Sequence, residues 1–253
     1  MIEIKNVSKS FDDIQVLKDI NTVFPPGECS LIIGQSGSGK TVLMKTIVGL
    51  HKPNVGDVLF DNRVFTQMST KQQIDVRKDM GMVFQGGALF DSMSIEENIM
   101  FPIRMFQRES YAKMLNKVNF SLERVNLKGI NKMKPSELSG GMKKRVAIAR
   151  AIAAQPKYLF CDEPNSGLDP QTSIVIDKLI YDITHEYNIT TIINTHDMNS
   201  VVEIGDNIVY LHNGELWWKG NNKNVLESDN IELNDFVFCT ALTKKIKEKN
   251  ENK

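Results

Sequence analysis

The stretch "GQSGSGKT", Gly34 to Thr41, limits what this chain can fold into more than any other. It matches GxxxxGK followed by Ser or Thr, a pattern in which glycines let backbone amides curl round phosphate oxygens. In that pattern Lys40 reaches the β and γ oxygens and Thr41 can ligate magnesium. Gln35, Ser36, Gly37, Ser38, Gly39 and Val42 lie in or beside the loop, and the two serines act there through their backbone amides. A plain glycine turn would satisfy the spacing as well, but the flanks speak against it. "CSLIIG" before the loop is an apolar run of strand length, and "VLMKTIVGL" after it has helical apolar spacing. Strand, loop and helix in that order predict an α/β chain whose parallel sheet feeds a phosphate site.

The rest of the chain alternates in the same sense. "KYLFCDEP" is an apolar strand ending in two acids, "DPQTSIVIDKLIYDITHEYN" has helical spacing, and "TTIINTHD" reads as a strand, as in a covered parallel sheet. Ahead of the loop, "MIEIKNV" and "VLKDINTVF" alternate, which predicts two short strands of a half-buried antiparallel sheet before the turn at Pro25, Pro26 and Gly27. Hairpins are expected in "VGDVLFDNRV", around Asp61 and Asn62, and in "VYLHNGELWWKG", around Asn213 and Gly214. Met114, Val118, Leu122 and Val125 mark an amphipathic helix from Ser110 to Val125, in a helical lobe. "SELSGGMKKRVAIARAIAAQP" then opens a helix on a serine and two glycines and closes it before Pro156.

Composition narrows the class. The 253 residues can bury one substantial core with a smaller lobe. With 31 basic and 31 acidic side chains there is none of the basic excess that nucleic-acid binding needs. No window approaches about 18 uninterrupted apolar residues, and "MIEIKNVSKSF" lacks a signal core. The chain is therefore expected neither to cross a membrane nor to enter a secretory route by itself. Cys29, Cys161 and Cys239 are widely spaced in apolar text without nearby His, which predicts buried thiols of a reducing cytosol. The charged end, residues 241–253, is expected to fray.

Two further motifs suit the phosphate loop. Asp162 ends an apolar strand, where it fits a magnesium-binding position, and Glu163 beside it fits a general base facing a γ-phosphate. Two acids at a strand end can also cap a helix, but after a phosphate loop the catalytic reading is favoured. In "LSGGM", Ser139 and the amides of Gly140 and Gly141 stand at a helix start and could hold an anion, or Ser139 could simply cap the helix. One loop already serves one nucleotide. A second phosphate-binding helix end therefore suggests a nucleotide presented by another subunit.

Taken in order, the phosphate loop, Gln85, "LSGGM", "YLFCDEP", "SGLDP" and "NTHD" resemble the nucleotide-binding subunit of ABC transporters over residues 2–240. The resemblance implies a P-loop NTPase fold: a RecA-like parallel-sheet core, an N-terminal antiparallel β subdomain and an α-helical subdomain at approximately 88–155 that carries "LSGGM". It also implies a homodimer sandwiching two ATP molecules head to tail with Mg2+, each phosphate loop facing the other copy's Ser139, Gly140 and Gly141. On this likeness Phe11 would stack on adenine, Gln85 would sense metal and γ-phosphate, Asp169 would lie at the dimer seam and His196 would hold the γ-phosphate. Arg145 and Arg150 lie on the helix after "LSGGM", and a solvated or lobe-bracing charge is at least as good a reading of them as a functional one. Met142, where the family usually has Gln, and Asn165, where it usually has Thr, depart from the common wording without removing a catalytic group.

"FQGGALFDSMSIEENIMFPI", "LSGGM" and "TSIVIDKLI" together resemble the ATPase of the Mla/MCE-type phospholipid transporters, ahead of amino-acid or metal importers. That branch implies two ATPases on the cytoplasmic face of the inner membrane, beneath two permease subunits, with a periplasmic MCE-domain lipid-binding protein. Lipid would move between the inner membrane and the outer envelope. The alternative from another class is a permease-free ABC ATPase of iron-sulfur cluster assembly, to which "GGMKKR" is superficially similar. In the branch-defining stretch, "MVF" reads as a buried strand and Gly86 and Gly87 as a hinge for Gln85. Leu89, Phe90, Ile95, Ile99 and Phe101 divide between core and a groove for a cytoplasmic permease helix. Phe236, Val237 and Phe238 either pack a terminal helix or reach the second ATPase or a small accessory protein.

Overall fold

The computed structural model describes residues 1–238, so Cys239 and the charged tail at 241–253 lie outside the described residues. Strands β1 (Ile2–Phe11), β2 (Ile14–Phe24) and β3 (Cys29–Ile33) lead to α1 (Lys40–Ile47), followed by β4 (Val55–Phe60), β5 (Arg63–Val64), α2 (Thr70–Arg77) and β6 (Met80–Val83). Next come α3 (Ile95–Phe106), α4 (Tyr111–Arg124), α5 (Gly140–Ile152), β7 (Tyr158–Asp162), α6 (Pro170–Glu186) and β8 (Thr190–Asn194). The described chain closes with α7 (Met198–Ile204), β9 (Asn207–His212), β10 (Glu215–Gly220) and α8 (Ile231–Val237). The chain forms two compact units: Met1–Pro25, Cys29–Gln67 and the chain from Asn194 make the first, and Pro26–Glu28 with Met68–Ile193 make the second.

In the first unit, β2-β1-β4-β5 form an antiparallel sheet and β10-β9-β3 lie side by side, β3 parallel to β9. The first two strands are longer than the sequence predicts, and a bulge explains how they stay in register. Ile2, Ile4 and Val7 are all buried although Val7 breaks the two-residue alternation. The register shifts between Ile4 and Val7, with Asn6 at φ +49°, and this returns Val7 to the inner face. Asp61 and Asn62 both adopt positive φ, 48° and 63°, as a two-residue hairpin turn requires. The β9–β10 turn uses Asn213 and Gly214 in the same way, at 50° and 80°. There Lys18 N donates to the Gly214 carbonyl at 2.8 Å, which fastens the hairpin to β2. Val237 and Phe238 are buried and Phe236 faces Tyr210 with ring centroids 5.5 Å apart, so this segment packs on its own chain.

In the second unit, β8-β7-β6 are neighbours, β6 and β7 parallel, and β7 and β8 are almost wholly buried, as strands covered on both faces must be. Helix α5 comes so close to β6 that a Cβ on Gly81 would stand 2.4 Å from the Ala151 carbonyl. Helices α3, α4 and α5 pack pairwise, and Ile95, Ile99, Ile103, Val118, Leu122 and Ile148 on them are buried. Ile95 and Ile99 are therefore core. Helix α3 was not anticipated, although Ser94 and Glu97 form a reciprocal capping box at its start. Cys29 and Cys161 are buried, as expected. Among the described residues no helix is long and apolar enough to cross a membrane.

Replacing Gly214 by alanine should lower the urea midpoint without changing the slope of unfolding. The left-handed backbone alone costs about 1–2 kcal/mol, and the new Cβ would lie 2.3 Å from the Val16 carbonyl.

Candidate nucleotide site

In the first unit the buried strand β3 delivers the chain to Gly34. There φ is +150°, and an added Cβ would lie 2.3 Å from the Leu211 carbonyl and 2.7 Å from Ser38 Oγ. Gly37 and Gly39 follow at φ +82° and +105°. Side chains resist all three conformations, so the loop can curl only because glycines stand there. Helix α1 starts at Gly39 without a capping side chain, and Leu43 N is the first amide to bond back into the helix, to the Gly39 carbonyl at 2.8 Å. The amides of Lys40, Thr41 and Val42 are thus the donors a helix start offers to an anion. Ser38 Oγ is buried and makes no hydrogen bond among the described residues. Lys40 is buried, and its Nζ crosses the loop to donate to the carbonyls of Gly34 at 2.7 Å and Gln35 at 2.9 Å. Gln35, Ser36, Gly37 and Thr41 are exposed and Val42 is half-buried. A loop closed to a Cβ at Gly34, uncapped amides and a fixed ammonium fit a polyphosphate.

The same unit holds Phe11 and His196. Phe11, at the tip of the β1–β2 hairpin, is 38% exposed, with Lys9 Nζ 4.9 Å from its centroid and His51 edge-on at 5.1 Å. His196 is exposed in the link from β8 to α7. That link is tied to the elements that flank the loop: Thr195 N donates to the Ile32 carbonyl at 3.2 Å, and Asn194 Nδ2 lies 3.7 Å from Met44 Sδ.

The second unit joins Gln85 to Glu163. Asp162 is the last residue of β7, and Glu163 follows at φ +51°, a left-handed conformation that costs about 1–3 kcal/mol in a residue other than glycine. Lys144 Nζ, reaching from α5, donates to the Gln85 carbonyl and to the Glu163 carbonyl, the latter at 3.4 Å. Burial pulls the Lys144 amine below the usual lysine range, and the charges of Glu163 and Cys161 oppose that pull. Two residues beyond Gln85, Gly87 and Ala88 are left-handed in succession, at +75° and +46°. Arg150 clamps them, donating to both carbonyls at 2.7 Å, and burial lowers its guanidinium pKa. The left-handed pair is therefore Gly87 and Ala88, whereas Gly86 is not left-handed. Arg145 donates to the carbonyls of Val125 and Asn126 at 3.5 and 3.4 Å, so both arginines brace backbone of the same unit, in line with the lobe-bracing reading. Asn98, buried on α3, accepts from Phe90 N at 2.8 Å and donates to the Phe90 carbonyl at 3.1 Å. Leu89 is half-buried and Phe90 exposed, with the Phe90 ring 5.0 Å from that of Phe101.

Ser139 caps α5, its Oγ accepting from Met142 N at 3.3 Å. A Cβ on Gly141 would meet Thr172 Cγ2 at 2.8 Å and one on Gly140 would meet Leu168 Cδ2 at 3.6 Å. Asp169 caps α6, and its hydrogen bonds from Thr172 Oγ1 and N hold its carboxyl below the usual carboxylate range. Gly140, Gly141 and Asp169 thus meet around Leu168 and Thr172, with Ser139 one residue ahead of the glycines. Asn165 is buried and donates to Asp177 at 3.2 and 3.4 Å, which gives the unusual asparagine a partner. Lys144, Arg150 and Asp177 carry much of this geometry, and the sequence reading passed over the first and last. Their signal was present: Lys144 shares a helical stripe with Ala147, Ile148 and Ala151, and Asp177 one with Ser173, Ile180 and Thr184, all buried.

A buried strand, a glycine loop and an uncapped helix, set among parallel strands alternating with helices, define a P-loop NTPase. The chain belongs to the ABC transporter family, whose profile matches residues 17–166. It is similar to the probable ribonucleotide transport ATP-binding protein mkl of Mycobacterium leprae, 36% identical over 93% of this chain and 68% of the relative. Similarity also extends to the intermembrane phospholipid transport system ATP-binding protein MlaF of Haemophilus influenzae, 36% identical over 94% of this chain and 90% of the relative. The methionine import ATP-binding protein MetN of Clostridioides difficile is 39% identical over 89% of this chain and 70% of its own length. Among solved structures, the dimeric ABC transporter cassette MJ0796 superposes with a TM-score of 0.81 at 33% identity, over 88% of this chain and 99% of that one. Its post-hydrolysis dimer with ADP and Pi gives a TM-score of 0.80 at 32% identity over the same shares, 88% and 99%. The chain is thus the ATP-binding subunit of an ABC transporter and an ABC-type ATPase.

Proposed function

We propose that this chain powers phospholipid transport between the inner membrane and the outer envelope, as a homodimer beneath membrane permease subunits and with a periplasmic MCE-domain lipid-binding partner. Residues 2–240 form its ATP-binding domain, residues 88–155 approximately the helical subdomain, and 241–253 a tail outside it. The reading places the dimer on the cytoplasmic face of the inner membrane.

In the reaction, Phe11 stacks on adenine, and the amides from Gly34 to Val42 with Lys40 hold the phosphates. Glu163 takes a proton from the attacking water, while His196 donates to the γ-phosphate leaving ADP. Thr41, Asp162 and Gln85 offer only oxygen donors, the kind Mg2+ takes, and the ion would neutralise phosphate charge. Ser139, Gly140 and Gly141 of the second copy complete each site, and Asp169 lies at the seam. The cap at Asp169, which holds Thr172, and the close approach of Gly141 to the same threonine support this pairing.

The observation that carries the lipid branch is the "GGALF" phrase after Gln85, together with Met142. The phrase folds as the clamped left-handed turn at Gly87 and Ala88, which presents Leu89 and Phe90. Beside Phe101 lies a groove of about 390 Å3 lined by Met93, Glu97, Phe101, Arg104 and Met105, which suits a permease helix with one apolar face. MlaF, named for phospholipid transport, supports the same branch, and MetN, named for methionine import, favours the second reading.

Affinity purification in detergent from native membranes separates the readings. Permease and MCE-domain subunits carrying phospholipid are expected; a methionine-type importer or a soluble cluster scaffold would overturn the lipid branch. Glu163→Gln should abolish steady-state ATPase and trap an ATP-loaded dimer, detectable by gel filtration, because it removes the base and leaves the phosphate ligands. Undiminished turnover would sink that role for Glu163. Phe90→Asp should uncouple transport while ATP affinity and the melting temperature stay close to wild type, since Phe90 is 40% exposed.

A further inference from the structure

Lys144 is a buried ammonium with an unusual task. It stands one helical turn after the "LSGGM" glycines, is 7% exposed, and ends on two backbone carbonyls rather than on an acid side chain. Those carbonyls belong to Gln85 and Glu163, two residues far apart in sequence that the proposed mechanism gives distinct roles. Charge-assisted donors to carbonyls are the stronger class of hydrogen bond, and burial makes leaving either end unmet costly. At Glu163 the bond also falls on a left-handed residue, whose carbonyl accepts from Ser166 N at 3.2 Å as well. Such a conformation persists only where neighbours over-determine it.

The same helix grips the chain beyond Gln85. Arg150 holds the Gly87 and Ala88 carbonyls, and Ala147 lies against Gly87, where an added Cβ would be 3.7 Å from Ala147 Cβ. Gln85 and the chain just beyond it are thus held by α5, whose first residues are Gly140 and Gly141. Through these bonds the helix that starts at Gly140 is tied to Gln85 and Glu163 together.

We infer that Lys144 is a positioning residue which couples the start of α5 to Gln85 and Glu163, so that the two are set or released as one. The inference rests on the roles proposed above for those two residues. Lys144 does not touch nucleotide in this account; it acts through the backbone it holds.

A double-mutant cycle with Gln85→Ala tests it, because that substitution keeps the Gln85 carbonyl and removes only the side chain it positions. On the wild-type background Lys144→Met should lower kcat about tenfold or more, as for a small misplacement of reacting groups, with KM for ATP changed less than about twofold. On the Gln85→Ala background the same change should lower kcat by clearly less, so that the two effects do not multiply. Full multiplication, or a kcat within about twofold of wild type, would overturn the inference. Should the methionine variant fail to fold, Lys144→Gln, which keeps a shorter donor in the same space, takes its place with the same readings. Glu163→Gln measured alongside separates the layers: turnover lost there with a multiplicative cycle overturns the role of Lys144 alone, and turnover retained overturns the reading of Glu163 and the inference with it.

Discussion

The hydrogen bonds that α5 sends into the backbone around it are the interaction on which the second unit depends. Glu163 and Ala88 sit in left-handed conformations that cost a side-chain-bearing residue free energy, and Gly87 beside Ala88 is left-handed too. Lys144 and Arg150 bind the carbonyls at or beside these positions, from a helix buried along most of its length. Gly81 lets the same helix lie directly on β6. Local strain and a rigid helix that offsets it are thus one construction.

In the first unit the corresponding constraint is backbone rather than side chain. The loop at Gly34 to Gly39 holds its curl because no Cβ intrudes at Gly34 and Gly39 and all three glycines take φ values that side chains resist, and α1 after it begins without a cap. Lys40 then folds back over the loop that carries it. Nucleotide binding on such a frame draws on donors already aimed, so little ordering is needed when phosphate arrives.

Much of this was legible in the sequence, since each phosphate-loop residue has its own chemical reason to be where it is. The strand before the loop, both hairpins, the helix from Ser110 and the helix opened by Ser139 also follow from alternation, turn residues and caps. What escaped was set by contacts between distant segments. Helix α3 hid inside an apolar phrase although Ser94 and Glu97 announce it, because apolar runs read as strand or groove when periodicity is short. The hinge expected at Gly86 and Gly87 is instead a clamped turn at Gly87 and Ala88, and the clamp, Arg150, lies 62 residues from Ala88. Lys144 stands on a legible apolar stripe, but a lysine within helical text reads as a solvated charge until its partners, two backbone carbonyls, are known.

The central claim is that each nucleotide is held between the phosphate loop of one copy and Ser139, Gly140 and Gly141 of another. Mixing two crippled variants tests it most directly. Lys40→Ala removes the loop cation and Ser139→Arg blocks the opposing helix start, so neither variant alone should form an ATP-dependent dimer in the ultracentrifuge. Their mixture should, because the pair contains one intact composite site. A mixture that stays monomeric with ATP, or ATP-dependent dimers of either variant alone, would contradict the account.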